Sequence, residues 1–169
     1  MNSASQNYRQ FKRHSVILLQ GVLKESFFDG TLLEEAHDVF VLEGRPMLEA
    51  AKHNCKALQQ RKMIPTLVSD NMAGFLFYKN LVREVWVACQ DKVAGGFLCD
   101  VGAVTLGVLA KRHNVPFNLY PARRKTQLMG KPKDTLCFNG RPISSKRIQV
   151  YVPLVDCVED KYISKVCEP

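Results

Sequence analysis

The sequence predicts a three-layer α/β domain built on a parallel sheet, and three observations predict it. Short apolar runs alternate with stretches in which apolar residues recur at helical spacing. The links between them are short, as in βαβ units with right-handed crossovers. The segment CQDKVAGGFLCD, residues 89–100, places glycines between an apolar run and an amphipathic stretch, the arrangement of a loop joining a strand to a helix.

Each element follows in order. Residues 14–28, HSVILLQGVLKESFF, read as an amphipathic helix, and the preceding YRQFKRH is too polar for a buried opening strand. Residues 1–13 are therefore expected to be a polar tail and 14–169 the domain. DVFVL (38–42) reads as a buried strand. Pro46 then opens a helix in which Leu48, Ala51, Cys55 and Leu58 share one face. Residues 64–68 are the next strand, and Ser69 and Asp70 are cap candidates for a short helix. A strand at 84–88, the loop 89–100, a helix at 100–113 and a strand at 115–120 complete the alternation. Residues 121–148 read as an irregular basic excursion. QVYVPLV is then a strand broken by Pro153, and CVEDKYISKVC a closing helix.

Composition bounds the function classes. The 169 residues, 46% hydrophobic, supply the core of one domain. There is no apolar run of membrane-spanning length, and the start MNSASQNYRQFKRH lacks the apolar stretch of an export signal. A soluble, cytoplasmic protein with no membrane partner is expected. The six cysteines form no CxxC pair, and the spacing of Cys89, Cys99 and His113 matches no ligand pattern, so reduced thiols and no metal are expected. The net charge of +8 is concentrated in 123–147, where eight Lys and Arg residues face Asp134 alone. Pro and Gly breakers and a shortage of aromatics favour a solvated basic loop there, with RNA or an acidic partner as the alternative.

In an open parallel sheet, ligands gather past the carboxyl ends of the strands. Residues 43–45, 69–71 and 90–100 are therefore the candidate positions. Neither GxGxxG nor a GxxxxGKS or GxxxxGKT loop occurs, which argues against a dinucleotide fingerprint and a P-loop, and no cofactor is expected. His14, His53 and His113 lie on stretches read as helical and need no catalytic role.

The motifs EGRPMLEAA, IPTLVSDNMAGFL, CQDKV, LGVLAKRHNVPF and VYVPLVD occur in an order similar to that in one family. It comprises methylthioribose-1-phosphate isomerase, ribose-1,5-bisphosphate isomerase and the regulatory subunits of initiation factor 2B. The resemblance covers about His14 to the C-terminus and implies a Rossmann-like domain without the family's small helical N-terminal domain. It also implies association, as a homo-oligomer or with a related subunit, and a sugar phosphate or nucleotide as ligand.

Carried over position by position, the isomerases' catalytic aspartate falls on Asp91 and their catalytic cysteine on Ser15, a far poorer acid than a thiol. Their substrate-holding Gln falls on Glu49 and their Asn-Lys pair on Cys99 and Asp100. Arg45, Asp70 and Asn71 complete the ligand-binding candidates. Two added carboxylates oppose a phosphate, each by roughly 4 kcal/mol at about 4 Å and an effective dielectric near 20. The expectation is a non-catalytic binding or assembly domain, and the alternative is an aldose-ketose isomerase with an altered site or a partner chain.

Overall fold

The computed structural model describes residues 11–29, 38–144 and 148–167. Strands β1 (Val16–Gln20), β2 (Asp38–Leu42), β3 (Thr66–Val68), β4 (Val82–Val93) and β6 (Phe117–Pro121) run parallel, with β4 and β6 on one side of β1 and β2 and β3 on the other. Strand β5 (Gly96–Asp100) turns back on β4 and pairs with β9 (Val155–Glu159), both antiparallel, while β10 (Lys165–Val166) extends the parallel edge at β6. Helix α1 (Glu49–Gln60) covers one face, and α2 (Ala73–Tyr78) and α3 (Ala103–His113) cover the other. The expected three-layer, Rossmann-like α/β architecture is present.

Alternation along the strands divides the core. Val16, Leu18, Phe40, Leu42, Val85 and Val87 pack with α2 and α3. Ile17, Leu19, Val39, Val41, Trp86 and Ala88 pack toward α1. A central strand buried on both faces reads as an unbroken apolar run, without the period of two that marks a half-exposed strand. For that reason residues 14–28, expected as a helix, instead contain β1, bonded on both sides, and a 3-10 turn at Glu25–Asp29. The opening strand is present after all. Phe11 stacks edge-on against Phe40 at 4.8 Å, so packing begins upstream of residue 14, while residues 1–10 lie outside the described chain.

Two further expectations are corrected. Residues 89–100 are not a strand-to-helix loop but a hairpin of β4 and β5, turned at Gly95 with φ 79°. The closing segment is not a helix. Its β-branched residues place Val158 fully in the core as β9 pairs with β5, and a 3-10 turn then leads to β10. Of QVYVPLV, Pro153 forms an isolated bridge to Met129.

The basic excursion carries a short helix α4 (Pro132–Leu136) and a two-stranded ribbon, β7 (Cys137–Phe138) with β8 (Arg141–Pro142). Its first three cations fold back onto the domain: Arg123 faces Glu25 at 3.7 Å, Arg124 pairs with Glu49, and Lys125 Nζ donates to Asp91 at 2.8 Å. Lys146 and Arg147 lie outside the described residues. No helix among the described residues is long and apolar enough to cross a membrane.

Candidate functional site

The carboxyl end of β1 is the floor of a cleft. Gly21 follows it at φ 73°, and a Cβ there would stand 2.8 Å from the Ala88 Cβ and 3.2 Å from Asp100 Oδ2, so glycine brings the turn close to that carboxylate. Gln20 is only 3% exposed. Its Nε2 donates to the Val101 carbonyl at 2.8 Å, while its Oε1 has no hydrogen-bond partner among the described residues. A buried polar atom left unpaired costs about 1–3 kcal/mol, so this one marks a place where a ligand donor would be accommodated.

One wall is the turn after β2. The N–H groups of Gly44 and Arg45 donate to the two oxygens of Asp70 at 2.9 and 2.7 Å, and the Arg45–Pro46 peptide is cis. Asp70 therefore sets the position of Arg45, whose guanidinium lies 4.9 Å over the Phe138 ring. Asn71 and Asp70 line a neighbouring hollow of about 460 Å³ that also reaches Gln20.

The other wall is the end of β5. Asp100 Oδ1 accepts from Gln90 Nε2 at 2.7 Å and Thr126 Oγ1 at 2.9 Å, and the Thr126 N–H donates to Gln90 Oε1 at 2.7 Å. Burial pushes the Asp100 carboxyl above the usual carboxylate range, against the opposing pull of its bonds from Thr126, the Val22 backbone and Gln90. Arg124 and Thr126 close the cleft from above. Beside it opens a basic hollow lined by Lys52, Lys56, Arg123 and Arg124. In that hollow Arg123 donates to His53 Nδ1 at 2.8 Å, so the proton of His53 sits on Nε2, which bonds the Leu23 carbonyl at 3.0 Å. Burial and Arg123 lower the pKa of His53, keeping it neutral.

The structure brings together Arg45, Glu49, Asp70, Asn71 and Asp100, and it separates three expected residues from them. Ser15 lies at the opposite, amino end of β1, with its Oγ donating to the Lys12 carbonyl at 2.8 Å, so it cannot occupy the position of a group past the strand's carboxyl end. Asp91 is turned away to its ion pair with Lys125 and lines a separate groove with Tyr120 and Cys167. Cys99 precedes Asp100 but faces the α3-side core, fully buried, because successive strand residues point to opposite faces. At the start of α3 the N–H groups of Gly102 and Val104 already donate to Asp156 Oδ2 at 2.7 and 3.1 Å.

Sequence reasoning missed Gln20, Gly21, Arg124 and Thr126, and it took in Gln90 only as one end of the candidate stretch 90–100. Gly21 directly after VILLQ was the available signal, since reading that run as a strand would have placed Gln20 and Gly21 at a carboxyl end.

Residues 19–168 match the model of the initiation factor 2 subunit family. This chain belongs to that family. Among relatives of this initiation factor 2 subunit family member, the methylthioribose-1-phosphate isomerase of Syntrophus aciditrophicus is 32% identical over 143 residues, covering 76% of the chain and 38% of the isomerase. Two solved structures share the fold. The 5-methylthioribose 1-phosphate isomerase of Pyrococcus horikoshii superposes with a TM-score of 0.78 at 21% identity, over 91% of this chain and 49% of that one. The delta subunit of translation initiation factor eIF-2B from A. fulgidus gives a TM-score of 0.76 at 19% identity, over 92% and 52%. The family member described here thus spans about half the length, or less, of these proteins.

Proposed function

We propose that this chain is the sugar-phosphate-binding half of an aldose-ketose isomerase of the methylthioribose-1-phosphate type, with Asp100 as the proton-transferring group. The reading is carried by one observation: a partly buried carboxyl in the cleft, held by Gln90 and Thr126 beside Gln20 Oε1, which has no hydrogen-bond partner among the described residues. Converting an aldose 1-phosphate to a ketose 1-phosphate moves hydrogen from C2 to C1, and a carboxyl poised nearer neutrality both gives and takes a proton.

The expectation of a non-catalytic domain rested on two arguments that this geometry weakens. The missing thiol was assigned to Ser15, which is remote from the cleft. The two carboxylates said to repel a phosphate are also moderated, Glu49 by its pairing with Arg124 and Asp100 by burial that favours its neutral form. Arg45 and the neighbouring Lys52, Lys56 and Arg123 then leave the cleft's rim cationic, suited to a phosphate.

Thermal shift tests the binding half. At one hundred times its dissociation constant, methylthioribose 1-phosphate should add about 2.7 kcal/mol, or roughly 5–10 °C in Tm, while methylthioribose without the phosphate should not. Equal shifts from both compounds, or none from either, would contradict the proposal.

A second reading, association with another copy of the chain, is favoured by a different feature. Helix α3 buries Ala103, Leu106 and Ala110 and leaves Val108 exposed, Tyr151 and Val166 are exposed in the C-terminal segment, and further exposed apolar side chains, Ile64, Leu67, Met72, Phe75 and Tyr78, lie on or near the edge strand β3 in sequence. Such a patch fits a two-fold contact. Sedimentation should show a dimer that Phe75→Glu dissociates, and a monomer at micromolar concentration would remove this reading.

A further inference from the structure

Behind the cleft, β4 and β5 place two cysteines side by side. Cys89 and Cys99 are Cα partners in the antiparallel ladder and both pack on the α3-side core, while the Cys89 thiol donates to the Asp91 carbonyl at 3.9 Å. Partners in such a ladder have Cα atoms roughly 4.5–5.5 Å apart, within the range of about 4.4–6.8 Å that a disulfide spans. Their side chains already face one another, so closing the bond requires no exchange of strands or change of register. The other cysteines differ: Cys137 and Cys157 are exposed, and Cys55, on α1, and Cys167 pack against the α1-side core.

We propose that Cys89 and Cys99 form a dithiol-disulfide site that exchanges with small disulfides of the glutathione class. The two sulfurs divide the work by position. Cys89 is half-buried and opens to the groove lined by Asp91, Lys92 and Tyr120, whereas Cys99 is fully enclosed. Cys89 is therefore the sulfur that an external disulfide reaches. The neighbouring Cys99 thiol lowers the Cys89 pKa, and the Cys89 thiol together with burial raises that of Cys99, in line with this order.

In the first step the Cys89 thiolate attacks one sulfur of oxidised glutathione, forms a mixed disulfide and expels one glutathione thiolate. Cys99 then attacks the Cys89 sulfur and expels the second glutathione thiolate, which takes up the Cys99 proton. Two protein thiols are oxidised, and one glutathione disulfide is reduced to two thiols. The bond would tie together the two strands that carry Gln90 and Asp100, one residue from each sulfur. The inference is independent of the isomerase reading, since it needs only the hairpin.

The test is exchange on the full chain followed by peptide mapping. Cleavage after Arg83, Lys92 and Lys111 separates the two cysteines, so their bond appears as one linked pair of peptides under non-reducing conditions. The reduced chain, treated with oxidised glutathione, trapped with iodoacetamide and digested, should yield that pair. Cys99→Ala, which replaces a buried thiol by a small apolar side chain, should accumulate glutathione on Cys89. Recovery of Cys89 and Cys99 unlinked from the wild-type chain, or of Cys89 joined to Cys167 across the groove, would overturn the proposal.

Discussion

Asp70 is the most direct point at which the loop presenting Arg45 can be tested. Its carboxylate accepts the N–H groups of Gly44 and Arg45 at 2.9 and 2.7 Å, which ties the turn after β2 to the segment after β3. Hydrogen bonds to a charged group contribute about 1.5–3 kcal/mol each, or roughly 3–6 kcal/mol for two. The residue is only partly buried, so solvent screening and water replacement reduce this to about 2–3 kcal/mol. Asp70→Ala should lower Tm by roughly 4–12 °C for a chain of this length, and Asp70→Asn, which keeps one acceptor, by about half as much. Calorimetry reads the loss. Thermal shift with methylthioribose 1-phosphate reads the second effect, a weaker affinity once Arg45 is no longer fixed. A loss below about 0.5 kcal/mol for Asp70→Ala would mean that the two bonds to the carboxylate contribute nothing and that Asp70 does not hold the turn.

Two other perturbations probe the frame around the cleft. His53 is held neutral in the fold by burial and Arg123, so its folded pKa lies below its unfolded value. The stability it confers is present above about pH 6.5 and lost as pH falls through its folded pKa. Denaturant titrations between pH 7.5 and about 5 should show that loss in the wild type and a smaller one in His53→Gln, whose amide can accept from Arg123 and donate to Leu23. Gly96→Ala would put a Cβ 2.3 Å from the Val158 carbonyl oxygen, a backbone atom, and should cost about 2–3 kcal/mol by spreading β5 from β9, measured by urea unfolding.

The legible part of the fold was the part with a clean period. DVFVL gave its strand to the residue, and α1 and α3 were placed to within a few residues by their apolar spacing. VILLQ was not legible because a central strand is apolar on both faces, and its Leu and Val residues ran on into GVLKESFF at a spacing that imitates a helix. The same error hid the site. With residues 14–28 read as a helix, no carboxyl end existed at Gln20. Arg45 and Glu49 were candidates because they lie in EGRPMLEAA, and Asp100 because it closes the stretch 90–100 that follows an apolar run. Arg124 and Thr126 were not, because they reach the cleft only when the basic segment folds back, through pairs such as Arg124 with Glu49 and Thr126 with Gln90, that no local pattern records.

The proposed isomerase chemistry assigns the cleft's working carboxyl to Asp100 and not to Asp91. The direct measurement is conversion of methylthioribose 1-phosphate to the ketose phosphate by the wild-type chain, Asp100→Asn and Asp91→Asn, followed by phosphorus NMR with folding of each variant verified by circular dichroism. General acid-base catalysis by a positioned group is worth about 100- to 10,000-fold. Asp100→Asn should therefore lose at least 100-fold, while Asp91→Asn, which breaks only the ion pair with Lys125, should stay within a few fold of wild type. Conversion that survives Asp100→Asn and vanishes in Asp91→Asn would contradict the claim, and so would a wild-type chain that binds the sugar phosphate and never converts it.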